Sequence, residues 1–372
     1  MQNAFTRRFF FGAAAGAAAG RLLPGQEPQA PGTMVYEPVI PVGKRSTVAL
    51  IHGTERRKMV TDSLVAIERD ILPQLKKKKY VVIKPNNVST QNQLAATHAD
   101  TLRGIIDFLA PRFKGEIVIA ESSAGDTPVG YENFGYVKIP KEYGSRKITL
   151  VDLNTEGKYE LHPLLTPDLH VQPVRLAARL CDPDAFIICS AILKTHNTVV
   201  ATLSVKNMVL GAPIRSAPKI RPVWNDKRKY HGGVRQTHYN MMMTAQKLKP
   251  FWGATLIDGF EGMEGNGPGS GTPVESRVAI ASTDYIAADR VGAEAMGVNH
   301  EWLGWLKYCS ETGVGQWDLA KIDIRGAALA SVRKEYRLHP DVELQLRWQG
   351  PMEELPPTLG WTTPIDPKTV DA

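Results

Sequence analysis

The chain has 372 residues, room for two or three lobes at the usual domain size of about 150. Hydrophobic residues are 43% and charged residues 22%, close to the average of folded proteins, which excludes a mainly disordered, collagen-like or multi-span membrane chain. Lys and Arg number 45 against 38 Asp and Glu, a formal charge of +7, while three cysteines exclude a disulfide scaffold and, with no CxxC pair, a zinc ribbon or an intrinsic iron–sulfur ligand run.

The chain opens with an address. Thr6-Arg7-Arg8-Phe9-Phe10-Phe11 precedes an apolar run of Phe, Gly and Ala up to Gly20, followed by a Pro/Gly/Gln-rich stretch. That order reads as an export signal, and the run is shorter than the ~20 residues a bilayer span needs. Paired arginines before Phe point to the twin-arginine export machinery and a destination outside the cytoplasm, periplasmic or extracellular, with no permanent membrane span. Residues 1–33 are therefore set apart as signal and linker. The run Lys76-Lys77-Lys78-Lys79 lacks interleaved aromatics or a recognition helix, so it is read as the solvated end of a helix, and no nucleic-acid partner is expected.

The mature chain alternates strand and helix patterns. Residues 47–51 and 80–83 are apolar runs of strand length, and Val60, Leu64, Ile67, Ile71 and Leu72 between them keep helical spacing. A helix over 97–109 and a strand over 116–120 follow, and the pattern recurs with strands at 148–151 and 185–190, a helix at 202–210, strands at 254–258 and 278–281, and a helix over 285–297. Strand, polar loop, helix, strand predicts an α/β fold of mainly parallel sheets flanked by helices, in two interleaved Rossmann-like lobes with a cleft between them. The lobes are placed at 34–165 and 166–330, with a C-terminal strand at 342–348 and a tail within 331–372. The long basic, proline-rich segment 212–237 is read as a lid or binding loop.

Ligands of parallel sheets sit beyond the carboxyl ends of the strands. Here those exits are polar: Lys84-Pro85-Asn86-Asn87, Glu121-Ser122-Ser123, Lys194-Thr195-His196 and Asp258. Lysines at such positions bind carboxylate or phosphate as point charges, or act as bases when buried. Among the histidines, His98, His196, His231 and His238 lie near such exits. His196 and His238 with a carboxylate from Asp258, Glu261 or Glu264 would make a two-His, one-carboxylate site for a divalent metal, although no HExxH or other tight ligand spacing supports it. His196 equally suits acid–base work. No GxSxG elbow is present, and Cys189 lies inside an apolar strand where a thiolate is costly.

Val82-Ile83-Lys84-Pro85-Asn86, Thr97-His98, Leu193-Lys194-Thr195-His196, Ser204-Val205-Lys206-Asn207 with Gly211, the loop from Asp258 to Pro268, and Ser282-Thr283-Asp284 with Asp289 together resemble the family known as domain of unknown function 362, over residues 45–300. The resemblance implies pocket roles for Lys194, His196, Lys206 and Asn207, and extends them to Lys84, Asn86, Glu264 and Asn266. Many members carry ferredoxin-type cluster motifs that this chain lacks. A more distant likeness in layout, to the nickel-dependent lactate racemase family, is an analogy of architecture only.

The expectation is an exported protein that binds a small anionic ligand in an inter-lobe cleft lined by Lys84, Asn86, Lys206, Asn207, Glu264 and Asn266. Lys194 or His196 would move a proton in racemase, isomerase or lyase chemistry, with or without a metal held by His196, His238, Asp258 and Glu261. The rival reading is a non-catalytic extracytoplasmic protein that captures a metal or ligand.

Overall fold

The structure, a computed structural model, describes residues 44–217 and 220–350. Residues 1–33, where an export signal and linker are expected, and the tail from 351 onward lie outside the described residues. In chain order the elements are β1 (Ser46–His52), α1 (Arg56–Ala66), α2 (Glu68–Leu75), β2 (Tyr80–Lys84), α3 (Ala99–Leu109), β3 (Glu116–Glu121), α4 (Thr127–Asn133), α5 (Ile139–Glu142), β4 (Ile148–Asp152), β5 (Tyr159–Leu165), β6 (Val171–Ala177), β7 (Ala185–His196) and β8 (Val200–Thr202). They continue with α6 (Ser204–Gly211), α7 (Val234–Leu248), β9 (Trp252–Glu264), β10 (Thr272–Val274), β11 (Val278–Ser282), α8 (Tyr285–Ala295), α9 (Gly304–Glu311), β12 (Ile322–Gly326), α10 (Leu329–Val332) and α11 (Val342–Gln345).

Ten strands form one mixed, mostly parallel sheet in the order β12-β1-β11-β9-β7-β2-β3-β4, with β8 and β10 folded back on β7 and β9. Along that path β11 alone runs against its neighbours. The α/β fold is as the strand–helix alternation predicts, and the segments 34–165 and 166–330 both feed strands into this one sheet. β5 and β6 make a separate antiparallel hairpin.

Burial follows the two-residue period of the strands. Val81, Ile83, Ile117, Ile119, Phe186 and Ile188 face a core shared with Leu64, Ile71, Leu102, Ile105 and Leu109 of α1, α2 and α3. Val82, Val118, Ala120, Ile187 and Cys189 face the opposite core, with Val205, Met208, Met241, Ala245, Ile286 and Val291 of α6, α7 and α8. Helices on both faces are why the central strands read as unbroken apolar runs. The lysine run does begin where α2 ends, at Lys76.

Two expected boundaries differ. The strand expected to stop at Ser190 continues to His196, because β8 turns back and pairs Lys194 with Thr202, Thr195 with Ala201 and His196 with Val200. All twelve residues of β7 are buried, so polar groups expected in an exit loop sit inside the sheet. The strand expected over 342–348 is instead α11 and a 3-10 turn over Leu346–Gln349. There Gln345 and Trp348, three apart, turn inward, and Trp348 packs its ring edge on His238 while its Nε1 donates to the Trp302 carbonyl at 3.0 Å. Helical spacing thus overrides the apparent alternation.

Candidate functional site

β2, β3 and β7 are parallel neighbours, so their carboxyl ends open on the same edge of the sheet. A pocket of about 280 Å3 lies there, lined by residues after β2 and β3, the end of β7, the first turns of α6, and Lys227 and His231.

The floor is a network around one carboxylate. Lys84, fully buried at the end of β2, donates to Glu121 Oε2 at 3.1 Å, to Asn207 Oδ1 at 3.0 Å and to the Pro85 carbonyl at 3.0 Å. Glu121 also accepts the Ser122 and Asn87 amides at 2.7 and 3.2 Å. Asn86 donates to the same Asn207 oxygen at 2.8 Å, and the Asn207 amide nitrogen donates to the Ser190 carbonyl at 3.1 Å. Each carboxamide is thereby fixed in orientation, since donors and acceptors leave only one sensible flip. Gly211 closes over Lys84: a Cβ there would fall on the ammonium group, so α6 reaches this distance only with glycine at its end.

α6 carries Lys206 and Asn207. Its start is held by Asp289 of α8, whose carboxylate accepts the Ser204 amide at 2.7 Å, the Ser204 hydroxyl at 2.6 Å and the Val205 amide at 2.9 Å. Burial raises the Asp289 carboxyl to about 7, against these hydrogen bonds. Negative charge at a helix start is favourable, so this buried acid fixes the helix that brings Lys206 to the pocket.

The lysines divide by what surrounds them. Lys227 donates to Ser122 Oγ at 2.8 Å and to the Leu210 and Pro213 carbonyls at 3.1 and 2.6 Å. Lys194 donates to Asn86 Oδ1 at 2.8 Å and to the Ala95 and Pro268 carbonyls at 2.9 and 3.3 Å, and it is fully buried behind the pocket wall. Lys206 lines the pocket at 8% exposure, and among the described residues its ammonium meets no hydrogen-bond or ion-pair partner. Burial, with Lys84 nearby, pulls its pKa down to about 7. Burial also lowers Lys227 to about 7, against the attraction of Glu121, and, with Lys206 beside it, pushes Lys194 well below the ordinary lysine value.

His196 Nδ1 accepts the Thr198 amide at 3.0 Å, which leaves the ring proton of the neutral form on Nε2. Burial, then Lys206 and His231, hold its pKa well below the usual histidine value, so the ring is neutral at pH 7. His231, pushed by burial to about 4, is neutral too. His196 is thus a hydrogen-bond donor. To bind a metal through Nε2 its Nδ1 would have to carry the proton instead.

The structure unites Lys84, Asn86, His196, Lys206 and Asn207 around the pocket, with Lys194 directly behind Asn86. It does not unite the rest. Glu264 accepts the Arg337 amide at 2.9 Å, tying β9 to the chain after α10, and Asn266 is exposed. The neighbouring Pro268 supplies a carbonyl in their place. The expected metal set is dispersed: His238 is buried between Trp305 and Trp348, with its Nδ1 accepting the Trp305 amide at 3.1 Å. Asp258 pairs with Arg56 at 3.2 Å and accepts from Thr101, and Glu261 is exposed. Among the described residues no three His, Cys, Asp or Glu side chains are arranged to hold a metal ion. Long strands explain the dispersal: Asp258 sits six residues before the end of β9, on the α1 and α3 side of the sheet.

Sequence reasoning missed Lys227 as a pocket residue and read His231 only as one of four histidines near strand exits. They come from the basic segment 212–237, which closes one side of the pocket, and nothing local in the sequence separates them from Arg228 and Lys229 beside them. The lone acid Glu121 was visible only as one more polar strand exit.

Fold and pocket together define an α/β protein with lysines gathered at the carboxyl edge of a parallel sheet. Residues 81–294, which include Lys84, Glu121, Lys194, His196, Lys206, Asn207 and Lys227, match the family described as Domain of unknown function (DUF362), and the chain belongs to that family. A crystal structure of a protein from Thermotoga maritima is similar at 11% identity and a TM-score of 0.38, over 71% of this chain and 60% of that one. No curated protein matches the sequence. Among the described residues no helix is long and apolar enough to cross a membrane.

Proposed function

We propose that this protein binds a small anion, a carboxylate or phosphate, in the pocket at the end of β2, β3 and β7, and that it moves a proton to or from that ligand. One observation carries the reading: Lys84, Lys206 and Lys227 converge on a pocket whose lining, among the described residues, contains a single carboxylate, Glu121. When Lys206 and Lys227 are protonated, two positive charges are left without a counter-ion, and a buried uncompensated charge costs several kcal/mol, on the order of the gain an anion would return. Lys84 and Lys227 spend their protons on fixed acceptors, so neither is free to turn toward a ligand. Lys206 is free to contact the ligand, and a pKa of about 7 lets it give or take a proton near neutrality. His196 offers its Nε2 proton as a neutral donor, and Lys194 is a positioning residue that holds the Asn86 carboxamide. The paired arginines near residue 7 make an exported setting part of the proposal.

The test is thermal unfolding and titration calorimetry with inorganic phosphate and with oxalate, at constant ionic strength against chloride. Saturable stabilisation that disappears in Lys206→Met supports the pocket. An equal response in Lys206→Met, or none beyond chloride, overturns it. Subcellular fractionation with Arg7→Lys/Arg8→Lys tests the exported setting: an unchanged distribution sinks it.

A further inference from the structure

The three pocket lysines differ in one respect that anion binding alone does not require. Lys84 and Lys227 each have three acceptors, enough to occupy every ammonium proton, whereas Lys206 has none among the described residues. It is also more than nine-tenths buried, borders the cavity, and stands beside Lys84. A side chain serving only as a charge would be better placed with acceptors, as its two neighbours are. An amine stripped of acceptors and set beside another cation instead keeps its lone pair exposed to whatever enters.

From this geometry we infer that Lys206 is a nucleophile that forms an imine with the carbonyl group of a small 2-oxo acid, whose carboxylate rests in the field of Lys84 and Lys227. The inference deepens the anion-pocket reading and rests on it. The neutral amine nitrogen attacks the carbonyl carbon, and the carbonyl π pair moves to oxygen to give a carbinolamine. The two amine hydrogens then leave with that oxygen as one water molecule, and the C=N bond takes the place of C=O. No oxidant or reductant enters. The imine sets an electron-withdrawing carbon next to the carboxylate, which weakens the neighbouring C–H and C–C bonds. This fits a pocket that keeps a separate neutral donor, His196 Nε2, beside the amine that becomes the imine. A volume of about 280 Å3 suits an acid of a few carbons.

The experiment is reductive trapping. The purified protein is mixed with pyruvate and cyanoborohydride, and the adduct is located by peptide mass spectrometry; thermal stabilisation by inorganic phosphate is measured on the same preparation. The expected result is one dominant adduct on Lys206, formed roughly tenfold or more faster than on the exposed Lys76 and Lys77. It should be slowed by phosphate and lost in Lys206→Arg, which keeps the charge. If phosphate stabilises the protein but labelling is absent or spread evenly over surface lysines, the imine is wrong and the anion pocket stands. If phosphate has no effect and Lys206 is not labelled, both readings fall.

Discussion

Replacing Lys206 by methionine should make the ligand-free protein more stable in acid, although the substitution lies in the proposed site. The folded state holds this amine at about 7 instead of its ordinary 10.5. Each pKa unit is worth about 1.4 kcal/mol, so the shift corresponds to a ceiling of about 5 kcal/mol below pH 7; relaxation and water at the pocket mouth bring the expectation to about 2–4 kcal/mol. The sign follows from proton counts. Between about pH 7 and 10.5 the unfolded chain carries a proton here that the folded chain lacks, so stability rises with pH across that window and the whole cost is felt below it. Methionine removes the cost with little change of volume. The groups that share this field are Lys84, Lys194, Lys227, His196, His231 and Glu121, and Lys194 and His196 are themselves held down in part by Lys206, so the variant relieves them as well. Urea unfolding of anion-free protein, followed by tryptophan fluorescence at pH 6, 8 and 10, should show the variant ahead by that amount at pH 6. The gap should shrink to about 1 kcal/mol or less at pH 10, where only packing differs. A variant less stable at pH 6, or a gap that does not change with pH, would refute the assignment of Lys206 as an uncompensated buried cation.

Two further outcomes are expected. Glu121→Gln strands the buried Lys84 ammonium and should cost about 3–5 kcal/mol in urea unfolding, whereas adding Lys84→Met to it should recover a large part; strictly additive losses would show that the two do not act as a pair. Val200, a β-branched residue at a φ of 66° where β8 begins, is held by Gln345 Oε1, which accepts its amide at 2.6 Å. Val200 is also 1% exposed in the core, so in Val200→Gly relief of the backbone offsets only part of the lost burial. The net cost should stay at about 1–2 kcal/mol, below that of Val200→Ala, which loses the side chain but keeps the strain. Gln345→Ala should cost about 1–2 kcal/mol in the native background but clearly less with glycine at 200, and equal losses in both backgrounds would mean that Gln345 does not hold the strained backbone.

The sheet was legible because both its faces are covered: continuous apolar runs such as Tyr80–Ile83 and Ala185–Ser190 can only be central strands. Their polar exits were legible for the same reason, since Lys84 and Glu121 directly follow such runs. The extent of β7 was not, because what keeps Lys194 and His196 in the strand is β8, a partner of three residues with no pattern of its own. Segment 212–237 could be read as a lid and His231 as near a strand exit, but sequence does not show that Lys227 and His231 are the residues that line the pocket, since they reach it only after the chain has paired Pro213 with Leu176 and Arg215 with Asn225. The metal set failed on a different ground: sequence shows which side chains can ligate but not which face of a strand or helix they take, and Asp258 of β9 faces Thr101 while His238 of α7 packs against the Trp348 ring.

One residue type thus serves several ends along one rim, and acceptor supply decides which. Lys84 and Lys194 leave strands, where the next loop and a neighbouring strand exit bring carbonyl and carboxamide oxygens within reach. Lys206 leaves the first turn of α6, where backbone groups point their N–H bonds outward and offer no acceptor. Had the amides of Ser204 and Val205 been free, the helix start would itself have been the natural seat for an anion. Asp289 already occupies them, so positive potential at the pocket has to come from the side chain. The buried acid of α8 and the unaccompanied amine of α6 are therefore two halves of one arrangement, in which the backbone amides are spent on holding the helix and Lys206 alone is left to meet the ligand.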